Sequence, residues 1–295
     1  MTTLVVHGTL ARGSSWYQDS WEERGFLAGL QRGMEDASDW HDIWCVGGEW
    51  VWDLPAPGAV FEWTGLAEGL YRGIAAQRLV EYLNTVAELT DEPIRVIAHS
   101  HGCNVVKLAS SLPALSPAVY IEQAVFLACP HFREDRREQG ELGGLDQFDI
   151  GKVHQAYQKT GDRFRYRVAP DRFGRILNIY NERDEVQVNL AQSLSGGQVP
   201  LTGSFLENVL QQLSSGIHEA PDATRTDMDD AAAHLYEDLC VEVDSRCSGL
   251  GAHSVMHGAL IGLLCGVWLN SGDSVYDVLQ EFGDLPVLPA DDTGG

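Results

Sequence analysis

Short runs of β-branched residues alternate with longer segments of helical periodicity along this chain of 295 residues. Strands that alternate with helices pair in parallel, because each helix returns the chain to the same end of the sheet. Helices then cover both faces of that sheet, so we predict an α/β fold. The predicted strands are TLVVHG (3–8), AVFEWTG (59–65), IRVIAHS (94–100), IEQAVFLACP (121–130), RILNIYNERDEV (175–186) and EDLCVEVDS (237–245).

Two segments are predicted to be helices from their apolar residues. Residues 69–89 have apolar side chains at helical spacing, and residues 255–269 are apolar almost throughout. The second segment contains a histidine and several glycines and is shorter than the roughly 20 residues that a bilayer span requires. We therefore expect a buried helix and no stable membrane insertion. With 44% hydrophobic residues, the chain can fold as one domain over residues 1–290, followed by a flexible tail at 291–295.

The charge of the chain excludes some partners. A formal net charge of −23 argues against binding to nucleic acid or to an anionic membrane. The six cysteines have no CxxC pair and no zinc-site spacing, so they are interpreted as small buried residues. The N-terminus has no basic region before its short apolar run, which predicts a cytoplasmic protein rather than an exported one.

One segment differs in charge from the rest. Between His131 and Arg175 lie ten of the 20 Lys and Arg residues and eight Asp and Glu residues, so this segment carries about +2 and the remainder about −25. Six aromatic residues lie among these charges. The segment is therefore expected to form a surface of its own.

The pentapeptide AHSHG, residues 98–102, joins the predicted strand at 94–100 to a helix that starts near Gly102. Small residues two positions before and two positions after Ser100 let the strand and the helix approach closely around a strained serine. Such a turn holds the hydroxyl clear of the backbone at the carboxyl edge of the sheet. The bare pentapeptide is a weak signal, since a serine at a helix N-terminus also has an ordinary capping role, but its place between strand and helix strengthens it.

These motifs resemble the α/β-hydrolase superfamily, in particular its bacterial lipases and esterases. The similarity extends from LVVHGT through FEWTG, IAHSHG, FLACP and NERDEV to GAHSVMHG, and an alanine in the first place of the pentapeptide is a mild departure from the usual glycine. Residues 131–175 match nothing in the family pattern. Because the chain opens on the strand before HGT, the resemblance implies a mostly parallel sheet of about six strands, with a cap or lid inserted after the strand that ends near Pro130.

The resemblance also implies an oxyanion hole. The turn VVHGT corresponds to the superfamily's oxyanion turn, in which Gly8 lets the backbone amide of Thr9 point inward. The amide of His101 would be the second donor. The side chain of His7 is expected to be packed in the loop.

A base and an acid are needed to activate Ser100. His253 is the best-placed histidine, because it follows the last predicted strand and a Gly-rich loop, and His257 is the alternative. Asp184 follows a predicted strand, lies between Ser100 and His253 in the family's Ser–Asp–His order, and matches its Asp-x-Val pattern. Glu182 and Glu185 are the nearby alternatives.

The resemblance implies a serine hydrolase that cleaves carboxylic esters through an acyl-enzyme, without a metal or an organic cofactor. The expected substrate is a small-molecule ester or a lipid ester such as a phospholipid, with His131, Phe132 and Arg133 of the cap as substrate-binding residues. In the competing interpretation, the arginines of the cap pair with local acids and with the acidic body. An amidase, peptidase or acyltransferase with the same triad is an alternative, and so is a hydrolase-like binding protein without turnover.

Overall fold

A parallel β-sheet forms the centre of the fold. The structure is a computed structural model that describes residues 2–8, 25–34, 43–44, 69–89, 93–130, 166–181, 184, 232–242, 253 and 255–282. Its strands are β1 (Thr2–Val6), β2 (Ile43–Trp44), β3 (Ile94–His99), β4 (Ile121–Leu127), β5 (Phe173–Tyr180) and β6 (Tyr236–Cys240). The described helices are α1 (Phe26–Gly33), α2 (Gly69–Leu89), α3 (His101–Ser110), α4 (Ala259–Ser271) and α5 (Val275–Phe282).

The predicted α/β class is confirmed, and every described strand pair is parallel. Five strands have five to eight residues, and β2 at the edge has two, so the expected number of about six is reached only when β2 is counted. Helix α2 has the bounds that its periodicity predicts. The apolar segment at 255–269 does form a buried helix, α4, preceded by a short 3-10 turn at Val255–His257. The predicted strand at 59–65 and the tail at 291–295 lie outside the described residues.

The two faces of the sheet pack against different helices. Leu4 and Val6 of β1 face the core formed with α2 and α3, whereas Val5 between them faces the core formed with α1, α4 and α5. The same alternation repeats along β3, because successive side chains of a strand point to opposite faces. Both faces are therefore covered, as a parallel sheet requires.

The strand order changes direction next to Ser100. The order is β2-β1-β3-β4-β5-β6, so the chain moves from β1 toward one edge and then returns past β1 to continue in the other direction. The connections consequently diverge at the carboxyl ends of β1 and β3. In open α/β sheets, ligands bind at such a switch point.

Helices α1 and α4 contact each other through glycine backbones. A Cβ atom built on Gly29 would lie 1.8 Å from the carbonyl oxygen of Ala259, and one built on Gly262 would lie 2.0 Å from that of Phe26. Gly33 and Gly266, one turn further along each helix, have equally little room. A helix next to the start of the chain is thus joined closely to one near its end. None of the described helices combines the length and the apolar character needed to cross a bilayer.

Candidate active site

Ser100 occupies a strained turn between β3 and α3. Its backbone has φ 52° and ψ −130°, in the positive-φ region that side chains with a Cβ rarely adopt. Such a conformation costs on the order of 1–3 kcal/mol and persists only where the surroundings hold it in place. Here the amide of Ser100 donates to the carbonyl of Leu127 at 2.8 Å, and the amide of Cys103 donates to the carbonyl of Ser100 at 3.0 Å.

Two glycines let β1 approach this turn. A Cβ on Gly8 would lie 2.6 Å from the Cβ of Ser100, and a Cβ on Gly102 would lie 2.6 Å from the carbonyl oxygens of both Val6 and His7. Any larger residue at these two positions would push the end of β1 away from the serine. These contacts join the serine turn and the start of α3 to β1, whereas AHSHG predicts a close approach of β3 and α3 around the serine.

Asp184 and His253 form a buried acid–imidazole pair. Asp184 follows the end of β5, is completely buried, and donates its backbone N–H to the carbonyl of Asn181 at 3.1 Å. Nδ1 of His253 lies 2.7 Å from Oδ2 of Asp184. Because an ionised carboxylate only accepts, Nδ1 carries the proton, and Nε2 keeps a lone pair that can accept a proton. The alternative acids Glu182 and Glu185 lie outside the described residues.

The ring of His99 connects this pair to the serine turn. Its centroid lies 4.6 Å from that of His253 and 4.1 Å from that of His257, and its own residue directly precedes Ser100. His253, the predicted base, therefore lies at the same edge of the sheet as the serine. The alternative base, His257, packs edge-on against His99 instead.

His99 and His257, whose rings lie in a chain of contacts with His253, are electrically neutral at physiological pH. Burial, followed by the charges of neighbouring histidines, lowers the pKa of His99 well below its ordinary value of 6.5. Burial and then the charge of His253 lower the pKa of His257 to about 3. His7 is completely buried and donates from Nδ1 to the carbonyl of Gly8 at 2.9 Å, as expected of a packed histidine. A proton taken up by His253 would thus meet neutral imidazoles rather than a second cation.

His101 begins helix α3, and its backbone amide is one of the first N–H groups of that helix, which have no partner within it. Its side chain is 4% exposed. Burial, then the charge of Arg72, then that of His253, lowers the pKa of His101 well below its ordinary value. The charges of a cation on α2 and of the predicted base therefore both act on this side chain.

Several predicted site residues fall outside the described part of the chain. These are Thr9 of the oxyanion turn and the cap residues His131, Phe132 and Arg133. The described end of the 131–175 segment packs on the body of the molecule. Residues 173–175 belong to β5 rather than to a cap, because Phe173 begins that strand and is buried.

Two arginines of that segment contact the body. Arg172 donates to the carbonyls of Ser116 and Val119 at 2.9 and 3.4 Å. Arg175 lies 3.3 Å from Glu237 and its guanidinium stacks 3.9 Å above the ring of Trp268. For these two arginines the structure shows the competing interpretation, pairing with the body.

The sequence analysis did not identify Asn104, whose Nδ2 lies 3.3 Å from Nδ1 of His101, or Arg72, whose charge acts on that ring. Arg72 lies on the core-facing side of α2 and is completely buried. The available signal for Arg72 was a charged residue at a position where the helical periodicity requires an apolar one.

In the part of the chain that the structure describes, no group of three or more His, Cys, Asp or Glu side chains is arranged to hold a metal ion.

Comparison with known proteins adds little to this geometry. No protein-family model matches the sequence, and no curated protein matches it. A solved structure with some similarity is that of the product of the gene lin2722 of Listeria innocua. It is 13% identical, the match covers 98% of this chain and 97% of that one, and the TM-score is 0.40. At this distance the similarity carries no argument about function.

Proposed function

We propose that this protein is a serine hydrolase that cleaves carboxylic esters, with Ser100 as nucleophile, His253 as base and Asp184 as the acid that orients it. One observation carries the proposal. A serine with φ 52° lies at the carboxyl edge of a parallel sheet, and a buried Asp–His pair at 2.7 Å lies at that same edge. Strain at a single polar residue is a common feature of functional sites.

The proposed chemistry begins with proton transfer. Nε2 of His253 takes the hydroxyl proton of Ser100 while Oγ attacks the ester carbonyl carbon. The carbonyl oxygen becomes an anion, which the backbone N–H of His101 stabilises, together with that of Thr9 if the resemblance to α/β-hydrolases extends to this turn. Removing one such donor typically costs about 3 kcal/mol of transition-state stabilisation.

The second half restores the enzyme. The intermediate collapses, the C–O bond to the alcohol breaks, and the alcohol leaves with the proton held by His253. Water then gives a proton to His253 and attacks the acyl-enzyme, and the Ser100 oxygen leaves with that proton as the carboxylic acid is released. Asp184 keeps the imidazole in the required tautomer and stabilises the imidazolium that forms in each half.

The test combines covalent labelling with matched variants. A fluorophosphonate probe should label the wild-type protein on Ser100, and Ser100→Ala should abolish both labelling and hydrolysis of p-nitrophenyl butyrate. His253→Gln and Asp184→Asn should each lower kcat by roughly three to four orders of magnitude. His257→Gln, on the neighbouring turn, is the matched control and should keep most of the turnover.

Two outcomes would reject the proposal. Labelling that persists in Ser100→Ala would place the nucleophile elsewhere. A wild-type protein that neither reacts with the probe nor hydrolyses the ester would favour the non-catalytic binding protein. A third outcome would change only the assignment of the base: turnover that fails in His257→Gln but survives in His253→Gln would identify His257 as the base.

A further inference from the structure

His99, the last residue of β3, contacts the rings of two other histidines. Its backbone is held in the sheet, where it pairs with Leu127 at the end of β4. Its ring centroid lies 4.6 Å from that of His253, with an interplanar angle of 54°, and 4.1 Å from that of His257, which it meets edge-on at 70°. Tilted and edge-on arrangements are those that flat rings prefer. The His99 ring is thus packed directly against the ring of the proposed base.

The end of β1 also limits the space of the His99 ring. A Cβ atom built on Gly8 would lie 3.0 Å from Nδ1 of His99 and 2.6 Å from the Cβ of Ser100. Gly8 therefore lies against both the His99 ring and the serine. Because His99 is only 3% exposed, these neighbours confine its ring and leave it little room to turn.

A single hydrogen bond does not fix the orientation of the His253 ring. The contact of its Nδ1 with Oδ2 of Asp184 at 2.7 Å holds one atom of the imidazole, and the ring can still rotate about that atom. A flat ring packed against it removes this freedom, and a catalytic geometry needs such a second support. Misplacing a reacting group by about 1 Å costs roughly a hundredfold in rate. Because His99 directly precedes Ser100, a support from this residue ties the proposed base to the strand that carries the nucleophile.

The charge state of His99 suits a support for an imidazolium. Burial, followed by the charges of four neighbouring histidines, lowers its pKa well below the ordinary value of 6.5. In decreasing order of effect these are His257, His253, His7 and His101. A protonated ring at this place would repel the imidazolium that forms on His253 in each half of the proposed reaction. A neutral ring gives the same packing without that repulsion.

We propose that His99 is a positioning residue of the hydrolase: its ring packs against His253 and keeps the imidazole in the orientation in which it takes the proton of Ser100. This inference rests on the proposed function and adds to it a residue that acts through the base. The flat shape of the side chain carries this role. Another flat ring should therefore serve in its place, and a side chain without a ring should not.

Replacements of His99 with and without a ring test this role. With p-nitrophenyl butyrate, His99→Leu should lower kcat about tenfold to a hundredfold and leave KM nearly unchanged, because the base is misplaced while substrate binding is kept. His99→Phe keeps a flat ring and should recover most of kcat. His99→Met, also without a ring, should behave like His99→Leu and provides the comparison if the leucine variant does not fold.

Ile97→Leu is the matched control. Ile97 lies two residues earlier on β3, so its side chain points to the same face of the sheet, and it is also buried. The variant changes the packing of that face without touching the His253 ring contact, and it should keep the wild-type kcat.

The orientation of the base has a readout that does not depend on turnover. The Nδ1 proton of His253, hydrogen-bonded to Asp184, should give a far-downfield ¹H NMR signal, assigned by its loss in His253→Gln. That signal should be sharp in the wild type and in His99→Phe. It should be broadened or lost in His99→Leu and His99→Met, because the base ring can rotate in these variants.

Three results would overturn the inference while probe labelling of Ser100 still supports the hydrolase. The first is a wild-type kcat in both His99→Leu and His99→Met. The second is an equal loss of kcat in His99→Phe, since a flat ring would then not be what orients the base. The third is an equal loss in Ile97→Leu, which would assign the effect to core packing. Absence of both labelling and turnover in the wild type would overturn the hydrolase, and the positioning role with it.

Discussion

The backbone of Ser100 stores free energy that only its neighbours can offset. At φ 52° the Cβ of the serine crowds the backbone, whereas a glycine would adopt the same conformation with little cost. The turn persists because its amide and carbonyl are both hydrogen-bonded and because Gly8 and Gly102 leave room for it. These contacts thus hold the serine in a conformation that stability alone would not favour.

Replacing Ser100 by glycine should therefore stabilise the protein while inactivating it. We expect Ser100→Gly to raise the free energy of unfolding by about 1 kcal/mol, since relief of the strain exceeds the extra entropy of a glycine in the unfolded chain. Ser100→Ala keeps the Cβ and the strain, and its stability should stay close to that of the wild type. Urea unfolding of the three proteins measures the difference, and equal stability of the two variants would show that no strain is stored at this residue.

At the scale of single residues, the sequence predicted the strand-to-helix serine because its signals are local. Ala98, Ser100 and Gly102 are adjacent in the chain, and their small size is a property of the residues themselves. The contact from Asn104 to Pro130 spans 26 residues, and the Asp184–His253 pair spans 69. The positions of Asp184 and His253 after predicted strands, in the family's Ser–Asp–His order, indicated that these two residues would pair. No local pattern indicates the contact of Asn104 with Pro130.

The pairing of α1 with α4 shows what periodicity does not reveal about elements. The apolar character of residues 255–269 predicted a buried helix, but the partner of that helix was not predicted. Both helices have glycines four residues apart, so each presents a row without side chains, and the two backbones come into contact along it. The signal is present in the sequence, yet it becomes specific only when both helices are known to be adjacent.

Alanine at Gly262 should separate these two helices. Its Cβ would lie 2.0 Å from the carbonyl oxygen of Phe26, which belongs to the backbone of α1 and cannot rotate away. We expect Gly262→Ala to lower the free energy of unfolding by about 3 kcal/mol, although helix propensity alone would favour alanine by about 1 kcal/mol.

Asn270→Ala, an exposed position in the same helix, is the control and should be neutral or slightly stabilising. Thermal and urea unfolding of both variants provide the comparison. A Gly262→Ala protein as stable as the wild type would show that α1 and α4 can move apart without loss.

At the scale of the whole molecule, the topology gathers histidines at one edge of the sheet. Of the six histidines in the part of the chain that the structure describes, five meet near the end of β3: His7, His99, His101, His253 and His257. They come from three separate parts of the sequence, so composition alone could not predict the cluster. Parallel strands bring them together because every strand ends at the same edge.

This cluster couples the stability of the fold to pH. His257 has its pKa lowered from 6.5 to about 3, so its folded form stays neutral while its unfolded form takes up a proton. Above about pH 6.5 both forms are neutral, and the residue does not affect the pH dependence. As the pH falls from about 6.5 toward 3, the unfolded state binds the extra proton, and stability is lost at about 1.4 kcal/mol per pH unit.

The net charge of −23 has the opposite effect on the pH dependence of stability, because acidification toward the pI of about 4.6 reduces self-repulsion of the folded chain.

The difference in stability between wild type and His257→Gln isolates the contribution of the histidine, since both proteins share the same acidic surface. We expect the wild type to be more stable than the variant by a margin that shrinks by about 1.4 kcal/mol between about pH 8 and about pH 5.5. Urea unfolding of both proteins at the two pH values measures this margin. A margin that stays constant with pH would show that the His257 ring is protonated equally in the folded and unfolded states, which is incompatible with the lowered pKa expected from its packing against His99.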